Sequence, residues 1–517
     1  MFKRIKSYQL GLLIVLSLAF VIRVFPQILL PYFYIDDESR TMVLPILTML
    51  GMHSLDPHFY KYGSLIYYFN IPIYAVYFHM MKAFSSSPFF FDILTPSLYY
   101  IGRYESAIFD ILTILLTYKI GERLFDRRIA FLSSIFMTLN PLELFMSHLF
   151  KPDTFMTFFA MCVFYFSIRL KEKEQLKWYI LAGVFSGFAM STKLDFFVII
   201  MPATGWFMYY YKTATLDSTH KHKIMNLVVF LLVSCISFFL TSPYLVLHIP
   251  EFLHAIFHEF SHNQQVNFVN DIFHTKFIAQ FAVIFPFILS ISVYLLSIFG
   301  IYLYTKKKGF YQALFYLIYP FLYFLVVTVI SNRPSYILYS YFYLTILPFF
   351  ILLAAYSFIY IWDKLNNKTI KNLITMVVFV DLLLASGSFI NVFYTYNKVG
   401  NWVNKNINRG SKILMLNTFR PVFKWKYFVY PLYTETPKTA SIEDFINVIQ
   451  PDFIIATNYD LHLIGGYKKF NNLMKADNFG KVETFIPEYA PYVYLCSTFI
   501  PDISLGKIYI YKNLVFD

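Results

Sequence analysis

Charged residues are scarce in this chain. Asp, Glu, Lys and Arg make up 14% of its 517 residues, against about 25% in an ordinary soluble domain. That shortage excludes a soluble globular protein and leaves a membrane protein with room for many spans. Cysteine is rarer still. Cys162 and Cys235 fall inside apolar runs and Cys496 lies near the C-terminus, so no disulfide framework follows. No small-x-small cleavage site follows Leu10–Ile22, although Lys3, Arg4 and Lys6 precede it; this reads as an uncleaved first span. There is no internal repeat, and the C-terminal region has no Gly-rich phosphate loop.

What the chain has is apolar surface. Hydrophobic residues reach 58% and aromatic residues 21%, and the formal charge is +13. The cations lie in short loops between apolar runs, which is the pattern of membrane topology and not of nucleic-acid binding. A span needs roughly 20 apolar residues. Such runs fall at about 8–30, 96–119, 129–147, 154–170, 177–191, 195–211, 224–241, 277–304, 310–330, 336–361 and 371–391. Backbone groups in lipid must be satisfied internally, so these are helices, about eleven in number.

Basic residues at Lys3–Lys6, Gly121–Arg128, Lys171–Lys177, Lys212–Lys223, Lys306–Lys308 and Trp362–Lys371 mark one face as cytoplasmic. The opposite face receives Asp36–Glu38, the turns at His148–Asp153 and Ser191–Asp195, the long loop 242–276, Ser331–Pro334 and the C-terminus. Ser64–Phe84 is apolar enough to span. A span there would break the charge alternation, and the run holds Asn70, Pro72, His79 and Lys82. It reads as interfacial helices within an outer loop 31–95. From residue 392 to 517 the charge density becomes ordinary. Strand-like runs at Lys412–Leu416, Asp452–Ala456 and Lys507–Tyr511, with helical spacing at Trp402–Asn408 and Ile442–Ile449, make a small extracytoplasmic α/β domain. Residues 1–391 form the transmembrane module.

The acidic run Asp36-Asp37-Glu38, followed by Arg40, stands where the first span leaves the membrane. Unpaired charge is costly in the bilayer, and a carboxylate beside apolar surface serves as a metal ligand or a general base. The same face carries Lys61, Arg103, Arg23, Asp153 and Lys193, with Lys193 open to pair with Asp195 or to bind phosphate. Cations converging around acids on one face suggest an anionic headgroup as ligand. His258-Glu259-Phe260-Ser261-His262 matches the zinc-protease motif H-E-x-x-H, so His258 and His262 stand as metal or acceptor candidates.

These residues in this order resemble the GT-C superfamily of membrane glycosyltransferases that use polyprenyl-phosphate sugars, and within it the protein O-mannosyltransferase and aminoarabinose-transferase branch. Asp37-Glu38-Ser39-Arg40 is similar to that branch's Asp-Glu motif. Tyr60-Lys61-Tyr62-Gly63 stands where it has a Lys before a Pro-Pro-Leu-like run, here without the prolines. Ile101-Gly102-Arg103-Tyr104, Gly121-Glu122-Arg123-Leu124-Phe125, Lys151-Pro152-Asp153 and Thr192-Lys193 match further positions. Tyr341–Pro348 resembles an Arg-Tyr-x-x-Pro-x-x-Pro segment, with Ser340 in place of the Arg and Arg333 as a substitute. The Trp-Trp-Asp-Tyr-Gly motif of oligosaccharyltransferases is missing, which argues against en bloc transfer.

The resemblance implies an inverting transfer from a polyprenyl-phosphate donor to a hydroxyl of a protein, lipid or glycan on the extracytoplasmic face of a prokaryotic plasma membrane. It implies Asp37 as base, Asp153 and Glu38 beside it, and Lys61, Arg103, Lys193, Arg23 and Arg40 around the donor phosphate. A divalent metal is an open option, and nucleic acid is not a partner. The rival reading is a flippase for a lipid-linked anion. Transporters place their charges near mid-membrane on broken helices, whereas here they sit at one face, which favours an enzyme. An intramembrane zinc protease is a third reading.

Overall fold

The computed structural model describes residues 2–29, 33–35, 38–84, 96–213, 220–261, 280–330, 337–408, 410–415, 419–421, 428–431, 446, 449–457, 474, 479–485 and 508–514. The chain divides into two compact units. The first comprises Met1–Phe25, Thr41–Ser335 and Tyr339–Leu383, and the second Pro26–Arg40, Tyr336–Leu338 and Leu384–Asp517.

The first unit is helical. Among the described residues of the chain, six helices are long and apolar enough to cross a membrane, or up to seven if a bent pair is one span. Other expected spans are present as helices that are shorter, more polar or interrupted. The run 129–147 is two helices, Arg127–Thr138 and Pro141–Met146. The break is chemical: Asn140 caps the second piece by accepting from the N–H groups of Leu142 and Glu143, and Pro141 takes the first helical position. The run 277–304 breaks at Ser290, which has φ of 74°, between Phe285–Leu289 and Ile291–Lys308. Asp381 of another helix caps the new start, accepting from the Ser292 N–H at 2.8 Å and its hydroxyl at 2.5 Å. Residues 336–361 begin as a 3-10 helix, Ile337–Ile346, and become α-helical at Leu347–Lys364, where Pro348 stands in the first turn. Leu65–Phe84 is one continuous helix with Pro72 inside it, where the sequence suggested several interfacial pieces.

The helix Leu176–Lys193 packs against both Pro152–Glu172 and His220–Thr241. Gly183 and Gly187, four apart, lie on its contact with the last of these. A Cβ on Gly187 would overlap the Ser237 side chain, so the small residues set how closely the backbones approach. The far side of His220–Thr241 exposes Leu232, Ile236 and Leu240, an apolar surface suited to lipid.

The second unit holds a five-stranded sheet in the order β4-β2-β5-β7-β6. Here β2 is Lys412–Met415, β4 Phe428–Pro431, β5 Phe453–Thr457, β6 Phe479–Phe485 and β7 Ile508–Asn513. Strands β4, β2 and β5 run parallel, and β7 and β6 are antiparallel additions. Period-two alternation divides the side chains between the faces. Ile413, Phe453, Ile455, Ile508 and Ile510 pack with Val399 and Val403 of the helix Lys368–Asn406 and with Ile407 just beyond its end. Leu414, Ile454, Ala456, Tyr509 and Tyr511 pack with Ile446, Met474 and Phe479. A separate pair joins β1, Phe33–Ile35, to β3, Phe419–Pro421, antiparallel.

Candidate functional site

Two helices bring opposite charges together. Pro152–Glu172 starts with Pro152 at its first position and Asp153 in its first turn. Leu176–Lys193 ends at Lys193. The two pack against each other, and the Lys193 ammonium donates to the Asp153 carboxylate, both side chains being nearly inaccessible. The ion pair of Lys193 is with Asp153, and Asp195, two residues along, acts on it electrostatically. Leu194 adopts the left-handed conformation with φ of 58°, which turns the chain. Asp195 then caps the 3-10 helix Phe196–Ile199 and accepts from the Tyr319 hydroxyl at 2.6 Å.

More cations gather here. The Lys151 ammonium lies 4.1 Å from the ring centre of Tyr341. That of Lys193 lies 4.9 Å from Tyr341 and 4.3 Å from Phe342, within cation–π range. Lys151 and Lys61 both repel Lys193 electrostatically. Burial holds Lys193 below the usual lysine range, and Asp153 offsets this only in part. Around Lys193 stand the carboxylates of Asp153 and Asp195, two lysines and two rings. Lys151 was not singled out from the sequence. Its position before Pro152 was the available signal, since the residue before a proline is extended, and Lys151 has φ of −135° and ψ of 152°.

Lys61 is delivered by a loop. Gly63 lies directly against Ser191, so closely that a Cβ there would overlap the Ser191 carbonyl. The next N–H, on Ser64, donates to the Ser242 hydroxyl at 2.9 Å, and Ser242 is hydrogen-bonded to Ser191. Upstream, Asp56 is buried and accepts from the His58 N–H at 3.0 Å and from the Tyr60 hydroxyl at 3.1 Å. Burial first and the bond to Asp56 second push Tyr60 up to about 12.

Arg23 and Arg103 belong to a second group, around His148, on which both act electrostatically. Each is buried. The Arg23 guanidinium is ion-paired with Asp110 and donates to the carbonyls of Thr138 at 3.1 Å and Met137 at 3.4 Å. Its fork thus joins three helices, a packing role that the sequence did not suggest.

Glu38 is fully buried and Arg40 half-buried, both in the second unit. Asp37, His262 and Arg333 lie outside the described residues, as does the side chain of His258, whose backbone belongs to the helix Ile249–Ser261. Among the described residues, no group of three or more His, Cys, Asp or Glu is arranged to hold a metal.

Residues 97–241 match the family described as dolichyl-phosphate-mannose-protein mannosyltransferase. A search of the curated proteins found no match. Among solved structures, the chain is similar to ArnT from Cupriavidus metallidurans bound to undecaprenyl phosphate, with a TM-score of 0.50 and 14% identity over 76% of this chain and 72% of that one. It is also similar to the Archaeoglobus fulgidus oligosaccharyltransferase. In the apo form the TM-score is 0.51, with 12% identity over 92% of this chain and 73% of that one. With a tethered acceptor peptide the TM-score is again 0.51 and the identity 12%, over 93% and 73%. The chain has the GT-C fold and is an integral membrane protein. The family match and the fold together support a glycosyltransferase.

Proposed function

We propose that the protein transfers a sugar from a polyprenyl-phosphate donor to an acceptor hydroxyl, with inversion at the anomeric carbon. The observation that carries this reading is the gathering of Lys61 and Lys151 within electrostatic reach of Lys193, which is itself ion-paired with Asp153. Cations held together in a partly dry site repel one another, and an anion relieves that cost. A phosphate bearing a sugar and a lipid tail supplies that anion while leaving the tail in the membrane. ArnT carries undecaprenyl phosphate in its crystal structure, which supports the same ligand class here.

In the reaction the acceptor oxygen attacks the anomeric carbon, and the bond from that carbon to the phosphate oxygen breaks. The polyprenyl phosphate leaves with the electron pair, and the acceptor proton passes to Asp37. Charge grows on the departing phosphate in the transition state, so lysines already in place lower the barrier. Asp153 has a second role, holding Lys193 in position. The chemistry takes place on the face opposite the basic loops. The 1–391 module carries the reaction and the 392–517 domain contacts the acceptor, which is a protein, a lipid or a glycan.

The test is transfer from a panel of labelled undecaprenyl- and dolichyl-phosphate sugars by the full chain in lipid vesicles. Transfer by the wild type, lost in Asp37→Ala, is the expected outcome. Transfer that survives Asp37→Ala removes Asp37 as the base. Transport of the donor across the vesicle without any transfer overturns the enzyme reading.

A further inference from the structure

One buried carboxylate organises the loop that presents Lys61. Asp56 accepts from the His58 N–H and from the Tyr60 hydroxyl, and its own N–H donates to the Ser54 hydroxyl at 3.1 Å. The His58 ring lies 3.7 Å away. These contacts are local and fold the segment 54–60 upon itself. One contact is not local: the Nε2 atom of His248 lies 3.2 Å from the same carboxylate. His248 follows the short helix Pro243–Leu247 and precedes Ile249–Ser261. Rings hold it from two sides, Tyr60 at 5.3 Å and Tyr244 at 6.2 Å between centres. Its Nδ1 atom lies 3.9 Å from Glu251.

We propose that Asp56 and His248 are positioning residues that fix where Lys61 stands, and so set the affinity of the site for a lipid-linked phosphate. The inference rests on the reading of Lys61 as a ligand of that phosphate. Lys61 has a long flexible stem, and a mobile backbone beneath it would spread its ammonium over many positions. The loop is pinned at both ends. Beyond Lys61, Gly63 and Ser64 lock onto Ser191 and Ser242. Before it, the Asp56–His248 contact ties the loop to the chain just beyond Ser242. With both pins in place the intervening residues have little freedom, and Lys61 approaches Lys193 closely enough for the two to repel. A carboxylate buried in this way requires its donors. Removing His248 leaves it short of one, and removing Asp56 leaves Tyr60 and the His58 N–H without an acceptor.

The experiment measures binding of undecaprenyl phosphate to the full chain in lipid nanodiscs. Lys61→Ala is expected to weaken binding roughly fivefold or more, about what loss of one charge-assisted contact costs. Asp56→Ala and His248→Ala are expected to weaken it comparably, and His248→Gln, which keeps a donor near the same place, to recover most of the affinity. Asp56→Ala combined with Lys61→Ala is expected to bind no worse than Lys61→Ala alone, because Asp56 acts through Lys61. Losses that multiply in the double variant overturn the proposal. So does wild-type affinity in both Asp56→Ala and His248→Ala while Lys61→Ala is weakened. Wild-type affinity in Lys61→Ala instead overturns the reading of Lys61 on which the proposal rests. Since half-exposed His248 tolerates replacement more readily than buried Asp56, the His248 variants decide the matter if Asp56→Ala fails to fold.

Discussion

The α-carbon of Gly63 rests against the carbonyl of Ser191, with no room for a side chain between them. The Lys61 loop and the end of the helix that carries Lys193 thus meet backbone to backbone. Gly63→Ala must push the two apart, because the obstacle is main chain and cannot rotate away. Overpacking of this kind costs typically about 1–3 kcal/mol. The thermal midpoint of Gly63→Ala is expected to fall and its donor affinity to weaken with it. Wild-type values for both would show that the contact is loose.

Breaking the Asp153–Lys193 pair from either side strands a buried charge. Such losses run to about 3–5 kcal/mol, whereas removing both partners is much less severe. Asp153→Ala is expected to be the worse single variant, since it removes the ion-pair partner of Lys193 while Lys151 and Lys61 still repel it. Asp153→Ala with Lys193→Met is expected to be more stable than Asp153→Ala alone. Additive losses in thermal unfolding would refute the coupling.

Lys193 also gives stability a pH dependence. Burial disfavours its charged form, so the folded chain releases that proton at lower pH than the unfolded chain does. The unfolded state therefore holds more protons in the interval between the two values. Stability from this group rises as pH climbs from the folded value towards the ordinary lysine value of about 10.4. The difference in thermal midpoint between the wild type and Lys193→Met is expected to shift in favour of the wild type as pH is raised through that interval. A difference that does not move with pH would contradict this.

Asp381 sits on a long apolar helix and caps the helix that begins at Ile291. Asp381→Ala is expected to cost about 1 kcal/mol, the usual worth of an N-cap. Asp381→Asn, which keeps an accepting oxygen, should recover much of that. Thermal unfolding in one lipid environment checks both; an Asp381→Ala variant as stable as wild type would deny the cap any weight.

Arg128 and Asp363 form two parallel bonds at 2.9 Å, yet both are about half exposed. Surface pairs contribute about 0–1 kcal/mol and weaken with salt. Asp363→Ala is expected to lower stability only slightly, and by less at high ionic strength. A loss comparable to that of Asp153→Ala would mean this pair is far drier than its exposure indicates.

The helices and three of the strands could be read from the sequence because apolar runs and alternation report directly on burial. Where the reading stopped, a local feature hid the pattern. Strand β6 was missed, and its register shifts between Lys481 and Glu483, so its alternation is out of phase halfway along. Strands β3 and β4 are short and end in Pro421 and Pro431. In the site, each residue type was visible but not its partner. Lys193 has Asp195 two positions away and Asp153 forty positions away. Only the left-handed turn at Leu194 decides for the distant one, and a leucine gives no sign that it will adopt that conformation. Arg23 was legible as a cation near a span end, but its carboxylate lies on another helix.

That carboxylate bears on how the molecule is made. Arg23 precedes Asp110 by 87 residues, so during synthesis the first helix enters the bilayer before its counter-ion exists. A buried arginine near the end of a span is costly without a counter-ion. Its side chain must reach back to water or headgroups until the helix Pro96–Leu124 arrives. The first helix is therefore placed twice, once by lipid and again by Asp110, and the order of insertion is built into the charge pattern.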